Sequence, residues 1–270
     1  MVRKEAKEVE EAEEKNAGVA AFFDLDGTLM CLPSLEKRLF SMLRYRKLVG
    51  VRNYVLWIVE AVRLALRGIN QVMHANKMYL RGISVGEKDL PKNLSFHPEA
   101  IERMVWHAER GHLIVIVSGT LEPLAERVAR ALEVKLRERG LATKICVCAT
   151  RFEVKCGRCT GRILGEAMFG EEKARVVRRI AAEEKLDLER CFAYGDSSSD
   201  RWMLETVGKP AAVNPSNDLA RIARRDDWPI LHWGKEKTSA RRTQRAQRTQ
   251  RSDESNDELQ VARAKMGFRA

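Results

Sequence analysis

Two carboxylates, Asp24 and Asp26, stand one residue apart in AAFFDLDGTLM, directly after an apolar run. Residues i and i+2 of a strand share a face, so at a strand end both acids can aim into one cleft. There they repel each other unless a cation lies between them or one takes a proton. A hard divalent ion such as Mg²⁺, which is held by one or two carboxylates and keeps part of its water shell, would suit the pair. A second acidic pair, Asp196 and Asp200, follows another apolar run in RCFAYGDSSSD. Between the two pairs lie Ser118-Gly119-Thr120, after HLIVIV, and Lys173 in GEEKARVV. A hydroxyl with free backbone N–H groups at a strand-to-helix turn can cradle a phosphate. Each piece alone also has an ordinary reading. Asp-Gly is common in turns, Asp or Ser often caps a helix, and a lysine in a helix usually faces water.

These residues can act together only if the chain brings their elements to one place. The run GVAAFF is apolar on both faces, as a central parallel strand must be. HLIVIVSGT and RCFAYGD read as further buried strands. PEAIERMVWHAERG, residues 121–139 and GEEKARVVRRIAAEEKLD read as helices, the first with a glycine stop. KICVCATRFEVKCGRCTGRIL reads as strands with Gly turns. Short helices at 202–207 and 216–225 bracket the strand PAAV, and WPIL closes the series. Strands alternating with helices predict an α/β fold, a parallel sheet covered on both faces. In such sheets ligands bind beyond the C-terminal strand ends, where DLDGT, SGT and GDSSSD would meet.

Residues 34–90 break this rhythm. In VRNYVLWIVEAVRLALRG, Val51, Val55, Ile58, Val59, Val62 and Leu66 fall at helical spacing, with arginines at 52, 63 and 67. Such a stripe suits a membrane-surface helix or a helix packed in a helical subdomain; packing is the expectation, because soluble domains commonly bury a broad apolar stripe.

The 270 residues are 44% apolar and carry a net charge of +11. That is enough for a full core. No apolar stretch reaches the roughly 18 residues of a membrane span, and the charged start lacks the apolar centre of a signal peptide; a cytoplasmic location is the default. Residues 1–16 read as a charged tail or solvated helix. From Lys235 onward, ten Lys or Arg face five Asp or Glu. That segment, with arginines at 242, 245, 248 and 251, reads as a solvated disordered tail. A weak contact with an anionic membrane or RNA is its sharper reading, and no stable partner is expected. Six cysteines include the pair Cys156/Cys159, which lacks the partners of a zinc site and reads as reduced thiols.

Taken in order, DLDGT, VSGT, GEEK and GDSSSD resemble the four motifs of the haloacid dehalogenase-like phosphohydrolases. The resemblance covers residues 17–234, and its nearest branch is phosphoserine-phosphatase-like. It implies a three-layer Rossmann-like parallel sheet core, residues 17–33 and 96–234, with a helical cap inserted at 34–95. It also implies a Mg²⁺-dependent phosphomonoester hydrolase. Asp24 would attack phosphorus to form an aspartyl-phosphate, and Asp26 would serve as acid and then base. Ser118, Gly119 and Lys173 would hold the phosphoryl oxygens. Mg²⁺ would be held by Asp24, the Asp26 carbonyl and Asp196. Asp200 would stand beside the ion, as a ligand through water or as partner to Lys173, and Thr28 would support this set. Gly27 would let the chain turn away sharply.

One position departs from that branch. Its glutamate nine residues after the nucleophile corresponds to Pro33, and Glu36 is out of register. Phosphoserine is therefore not the expected substrate; a small or partly apolar phosphomonoester is. A phosphotransferase or mutase on the same fold, and a non-catalytic scaffold that binds anionic surfaces, are the alternatives.

Overall fold

The apolar run after Gly18 folds as strand β1 (Ala20–Phe23), with all four side chains buried. The computed structural model describes residues 18–234 apart from 67, 69–71, 73, 87–89 and 92. The expectations for the charged start and the arginine-rich end thus lie outside the described residues. After β1 come helices α1 (Leu35–Tyr45) and α2 (Val51–Ala65), a 3₁₀ turn (Met78–Leu80) and helix α3 (Pro98–Ala108). Strand β2 (Leu113–Leu121), α4 (Glu122–Arg137) and β3 (Ile145–Thr150) follow, then β4 (Phe152–Lys155) and β5 (Arg158–Ile163). The chain continues through α5 (Glu171–Glu183), β6 (Phe192–Gly195), a 3₁₀ turn (Ser198–Asp200) and α6 (Arg201–Leu204). It then runs through β7 (Lys209–Val213), α7 (Asn217–Arg225) and β8 (Ile230–Leu231).

Six strands form one parallel sheet in the order β3-β2-β1-β6-β7-β8. The chain leaves β1 toward one edge and later returns to its other side at β6. That change of direction opens a crevice at the C-terminal end of β1. Alternation along β1 divides its side chains between two layers. Ala20 and Phe22 join Val176, Val177 and Ile180 of α5, Met203 and Leu204 of α6, and Leu219 of α7 in one apolar cluster. Phe23, on the opposite face, stacks on Tyr194 at 4.6 Å and meets His107 of α3 edge-on. Each fully buried Val, Ile, Leu, Met or Phe among them contributes about 1.5–3 kcal/mol, so the sheet is a firm base for the loops at its end.

Two features differ from what the sequence pattern predicts. Only β3 of the predicted strand cluster joins the sheet. Strands β4 and β5 form a separate antiparallel hairpin, turned by Cys156 and Gly157 at φ 49° and 69°, the twist that favours two-residue hairpin turns. Backbone bonds tie the hairpin to the helical segment: the Gly82 N–H donates to the Cys159 carbonyl, and the Cys159 N–H donates to the Ile83 carbonyl. Cys159 is buried at that joint, Cys156 is exposed, and both are free thiols.

The second difference is α2. Its apolar stripe was expected to pack inward, yet Val51, Val55, Ile58, Val59 and Val62, with Leu66 just past its end, are exposed. The helix is held by its opposite flank. Asn53 Nδ2 donates to the Tyr79 and Arg81 carbonyls, Asn76 Nδ2 donates to the Trp57 carbonyl, and Leu64 is buried. These directional bonds set the rotation of α2, and they turn the wider apolar arc to solvent.

Candidate functional site

The crevice collects residues from five segments. The Asp24 N–H donates to the Tyr194 carbonyl at 2.9 Å, which prolongs the β1–β6 pairing and delivers the Asp24 side chain to the end of the sheet. The chain then closes a tight loop in which the Leu29 and Met30 N–H groups donate to the Leu25 carbonyl, and the Gly27 N–H donates to the Met30 carbonyl. Gly27 has φ +97°, and a Cβ there would run into the Asp196 carboxylate. Only glycine serves at that point. The Asp26 carboxylate accepts from the Leu35 N–H at 2.9 Å. Leu35 opens α1, so the positive end of that helix steadies the acid. Ser34 caps the same helix by accepting from the Lys37 N–H.

Ser118 is buried near the end of β2, and its hydroxyl accepts from the Thr120 N–H at 3.2 Å. The Thr120 hydroxyl, buried beside it, has no hydrogen-bond partner among the described residues, and the same holds for Thr28, which is fully buried. Lys173 lies in the first turn of α5 and points inward. Its Nζ donates to Asp24 Oδ1 and to Asp200 Oδ1, both at 2.6 Å. Asp200 is completely buried, and its second oxygen accepts from the Asp196 and Ser197 N–H groups and the Ser197 hydroxyl. Asp200 is thus the fixed partner of Lys173, which orients the ammonium toward Asp24.

The electrostatics follow from this crowding. Burial pushes the Asp24 carboxyl up to about 7 against the pull of Lys173, and the Asp200 and Asp26 charges add to the rise. Burial also pushes Asp196 up to about 8, helped by Asp24 and Asp200. Asp26 is raised, again mainly by burial, although the Leu35 N–H opposes it. Lys173 is raised despite burial, because Asp200 and Asp24 hold its proton. Asp24, Asp196 and Asp200 present oxygens within 4.8 Å of one another. Three carboxylates outnumber the single ammonium between them, and all the donors are hard oxygens. That set fits a divalent cation such as Mg²⁺, whose charge would offset the mutual repulsion that adds to the burial-driven rise of Asp24 and Asp196.

Asp24, Asp26, Ser118, Gly119, Lys173 and Asp196 all line one cavity of about 620 Å³. Its outer wall comes from the helical segment and from the loop before α5, and the sequence carried little sign of it. Phe40, Tyr54 and Trp57 of α1 and α2 line it, as do Met168, Phe169 and His74. His74 stacks on Phe169 with centroids 3.7 Å apart, and burial, with Lys77 nearby, lowers its pKa to about 4; at neutral pH it is an uncharged ring. Glu36 also lines the cavity. Both its oxygens accept from Lys77 Nζ, at 2.6 and 2.8 Å, and Oε1 accepts from the Tyr79 hydroxyl at 2.6 Å. Lys77 and Tyr79 sit in a stretch without periodic signal, so this triad could not be found from spacing. Thr150 was missed as well. Its hydroxyl donates to the Gly119 carbonyl and accepts from the Met168 N–H, so it links the Ser118–Gly119 turn to the aromatic wall.

Residues 21–205 match the family of haloacid dehalogenase-like hydrolases. A probable phosphatase of Mycobacterium tuberculosis is 33% identical over 233 residues, covering 81% of this chain and 77% of that protein. A phosphoserine phosphatase of the same organism is 30% identical over 237 residues, covering 82% and 73%. Among solved structures, a Bordetella pertussis protein of unknown function superposes with a TM-score of 0.56 at 26% identity, covering 80% of this chain and 98% of that one. A substrate-bound phosphoserine phosphatase superposes at 0.55 with 23% identity, covering 80% and 92%, a likeness of fold.

Proposed function

Because the chain belongs to the haloacid dehalogenase-like hydrolases, we propose that its cavity is the active site of a Mg²⁺-dependent phosphomonoesterase working through an aspartyl-phosphate. The observation that carries this reading is the Lys173 ammonium, 2.6 Å from Asp24 Oδ1, in a cavity also lined by Asp26, Ser118 and Asp196. An Asp24 oxygen attacks phosphorus, and the bond from phosphorus to the ester oxygen breaks. Asp26 gives its proton to that leaving oxygen. Water then attacks the phosphorus of the aspartyl-phosphate as Asp26 takes a proton from it, and Asp24 is released together with inorganic phosphate. Burial raises the pKa of Asp26, the direction that suits its role as the acid.

Ser118, the Gly119 backbone and Lys173 hold the phosphoryl oxygens, and Lys173 offsets the repulsion between Asp24 and a dianionic ester. Mg²⁺, when bound by Asp24, Asp196 and the Asp26 carbonyl, supplies the neutralising charge on which phosphoryl transfer depends. Asp200 holds Lys173 in place, and Thr28 is buried within the loop that follows Asp26.

Residues 34–95 act as a cap that selects the group attached to phosphate. Its aromatic wall favours an apolar substituent. Glu36 is engaged by Lys77 and Tyr79, which supports a substrate without the ammonium of phosphoserine. The test is phosphate release from p-nitrophenyl phosphate, lysophosphatidate and phosphoserine, with Mg²⁺ or with EDTA. The expected result is Mg²⁺-dependent turnover, fastest on the apolar esters and reduced about 10³-fold or more in Asp24→Asn. Preferred turnover of phosphoserine would overturn the substrate reading, and full activity of Asp24→Asn would overturn the mechanism.

A further inference from the structure

Six apolar side chains lie on one face of α2 and its end: Val51, Val55, Ile58, Val59, Val62 and Leu66, each between 53% and 91% exposed. At about 100° per residue they span an arc of roughly 100°, as wide as the face a soluble helix normally buries. Tyr45, at the end of α1, and Leu48, in the turn leading into α2, are exposed as well. A contiguous apolar face of this kind marks a docking surface. Basic residues border it. Arg44, Arg46 and Lys47 precede α2, and Arg52 and Arg63 lie along one edge of the stripe, where Glu60 is the only acidic residue of the helix. Along the other edge, Tyr54 and Trp57, both 38% exposed, line the cavity that holds Asp24. At 15 residues α2 is too short to span a bilayer, and among the described residues no helix is long and apolar enough to do so.

We propose that α2 is an interfacial helix that seats the protein on a bilayer rich in anionic phospholipid, with the cavity mouth at the lipid surface. The apolar stripe enters the boundary between headgroups and acyl chains, and the arginines and lysine meet the lipid phosphates, the arrangement of helices that lie in the membrane plane. Charge favours this occupant over a second copy of the chain, which would bring one basic border against another. Phosphomonoesters with an acyl tail would then reach Asp24 past Tyr54 and Trp57 without leaving the membrane. The docking itself rests on α2 alone and does not require the hydrolase reading.

Flotation of the full chain with vesicles tests this. One set is phosphatidylcholine alone, and the other contains about 30 mol % phosphatidylglycerol. Two variants carry the same change of charge. V55E/V59E alters the stripe, and R178E alters an exposed position on α5, far from it in sequence. The wild type should float with anionic vesicles and not with phosphatidylcholine. V55E/V59E should bind at least about tenfold more weakly, whereas R178E should lose no more than about twofold. Hydrolysis of p-nitrophenyl phosphate and the thermal melt should be unchanged in V55E/V59E. Equal losses in the two variants would overturn the proposal, since charge alone would then explain binding. So would a wild type that ignores anionic vesicles, or one that is a dimer by sedimentation and becomes monomeric in V55E/V59E without binding lipid. Vesicle binding without turnover would refute the hydrolase reading and leave the docking intact.

Discussion

Replacing Lys173 with methionine keeps the length of the side chain and removes the one ammonium that bridges Asp24 and Asp200. Both bonds are 2.6 Å long and all three groups are buried. Removing one partner from a buried ionic cluster costs about 3–5 kcal/mol, because the remaining charges stay desolvated. The deficit should depend on pH. Lys173 has a raised pKa, so its stabilising contribution is complete throughout the range of pH 5 to 8 and is lost only in strong alkali. Asp24 also has a raised pKa, about 7 in the metal-free protein, so its ionisation opposes folding as pH rises toward that value. Without the ammonium its pKa rises further, and the variant holds a proton where the wild type has released one. The deficit should therefore grow by about 1.4 kcal/mol per pH unit above pH 7, the value for one proton. Urea unfolding in EDTA at pH 5 and pH 8 measures both quantities. A deficit below about 1 kcal/mol, or one that is the same at both pH values, would refute the buried-pair account. Added Mg²⁺ should shrink the deficit at pH 8, because the cation takes over part of the neutralisation.

Gly27→Ala places a Cβ against the Asp196 carboxylate in a backbone conformation with φ +97°. The strain costs roughly 1–2 kcal/mol, and displacing Asp196 should lower phosphate release by at least about tenfold at subsaturating Mg²⁺; wild-type kinetics would show that the loop yields freely. Thr150→Val keeps the shape of the side chain but strands the Gly119 carbonyl and the Met168 N–H. A loss of about 1–3 kcal/mol is expected in urea, with a raised KM for the phosphoester. Thr150→Ser should restore both, and equal behaviour of the two variants would mean that Thr150 only fills space.

The sheet was legible because its signals are local. The apolar run before Asp24, the alternation of strands with amphipathic helices and the glycine stops depend on neighbours a few residues apart. The acidic pairs, Ser118 and Lys173 could be picked out by their position after those elements; Asp24, Asp26, Asp196, Ser118 and Lys173 line one cavity, and Asp200 is buried against Lys173. The departure at Pro33 was legible too. What the pattern suggested about α2 went the wrong way, because periodicity shows that a helix has an apolar face and not which way that face turns. Asn53 and Asn76 decide the rotation through bonds to backbone carbonyls far along the chain.

By itself, the sequence determined the order of strands and helices and the chemical types available at the strand ends. These follow from side-chain period and polarity within each segment, and they would be the same whatever surrounded it. Tertiary structure alone decided which groups touch. Lys173 meets Asp24 across 149 residues, and Lys77 meets Glu36 across 41. Such pairings depend on how the elements pack, and so do the burial that raises the carboxyl pKa values and the solvent-facing turn of α2. Desolvation and Coulomb forces act through space, and the spacing along a chain does not encode that distance.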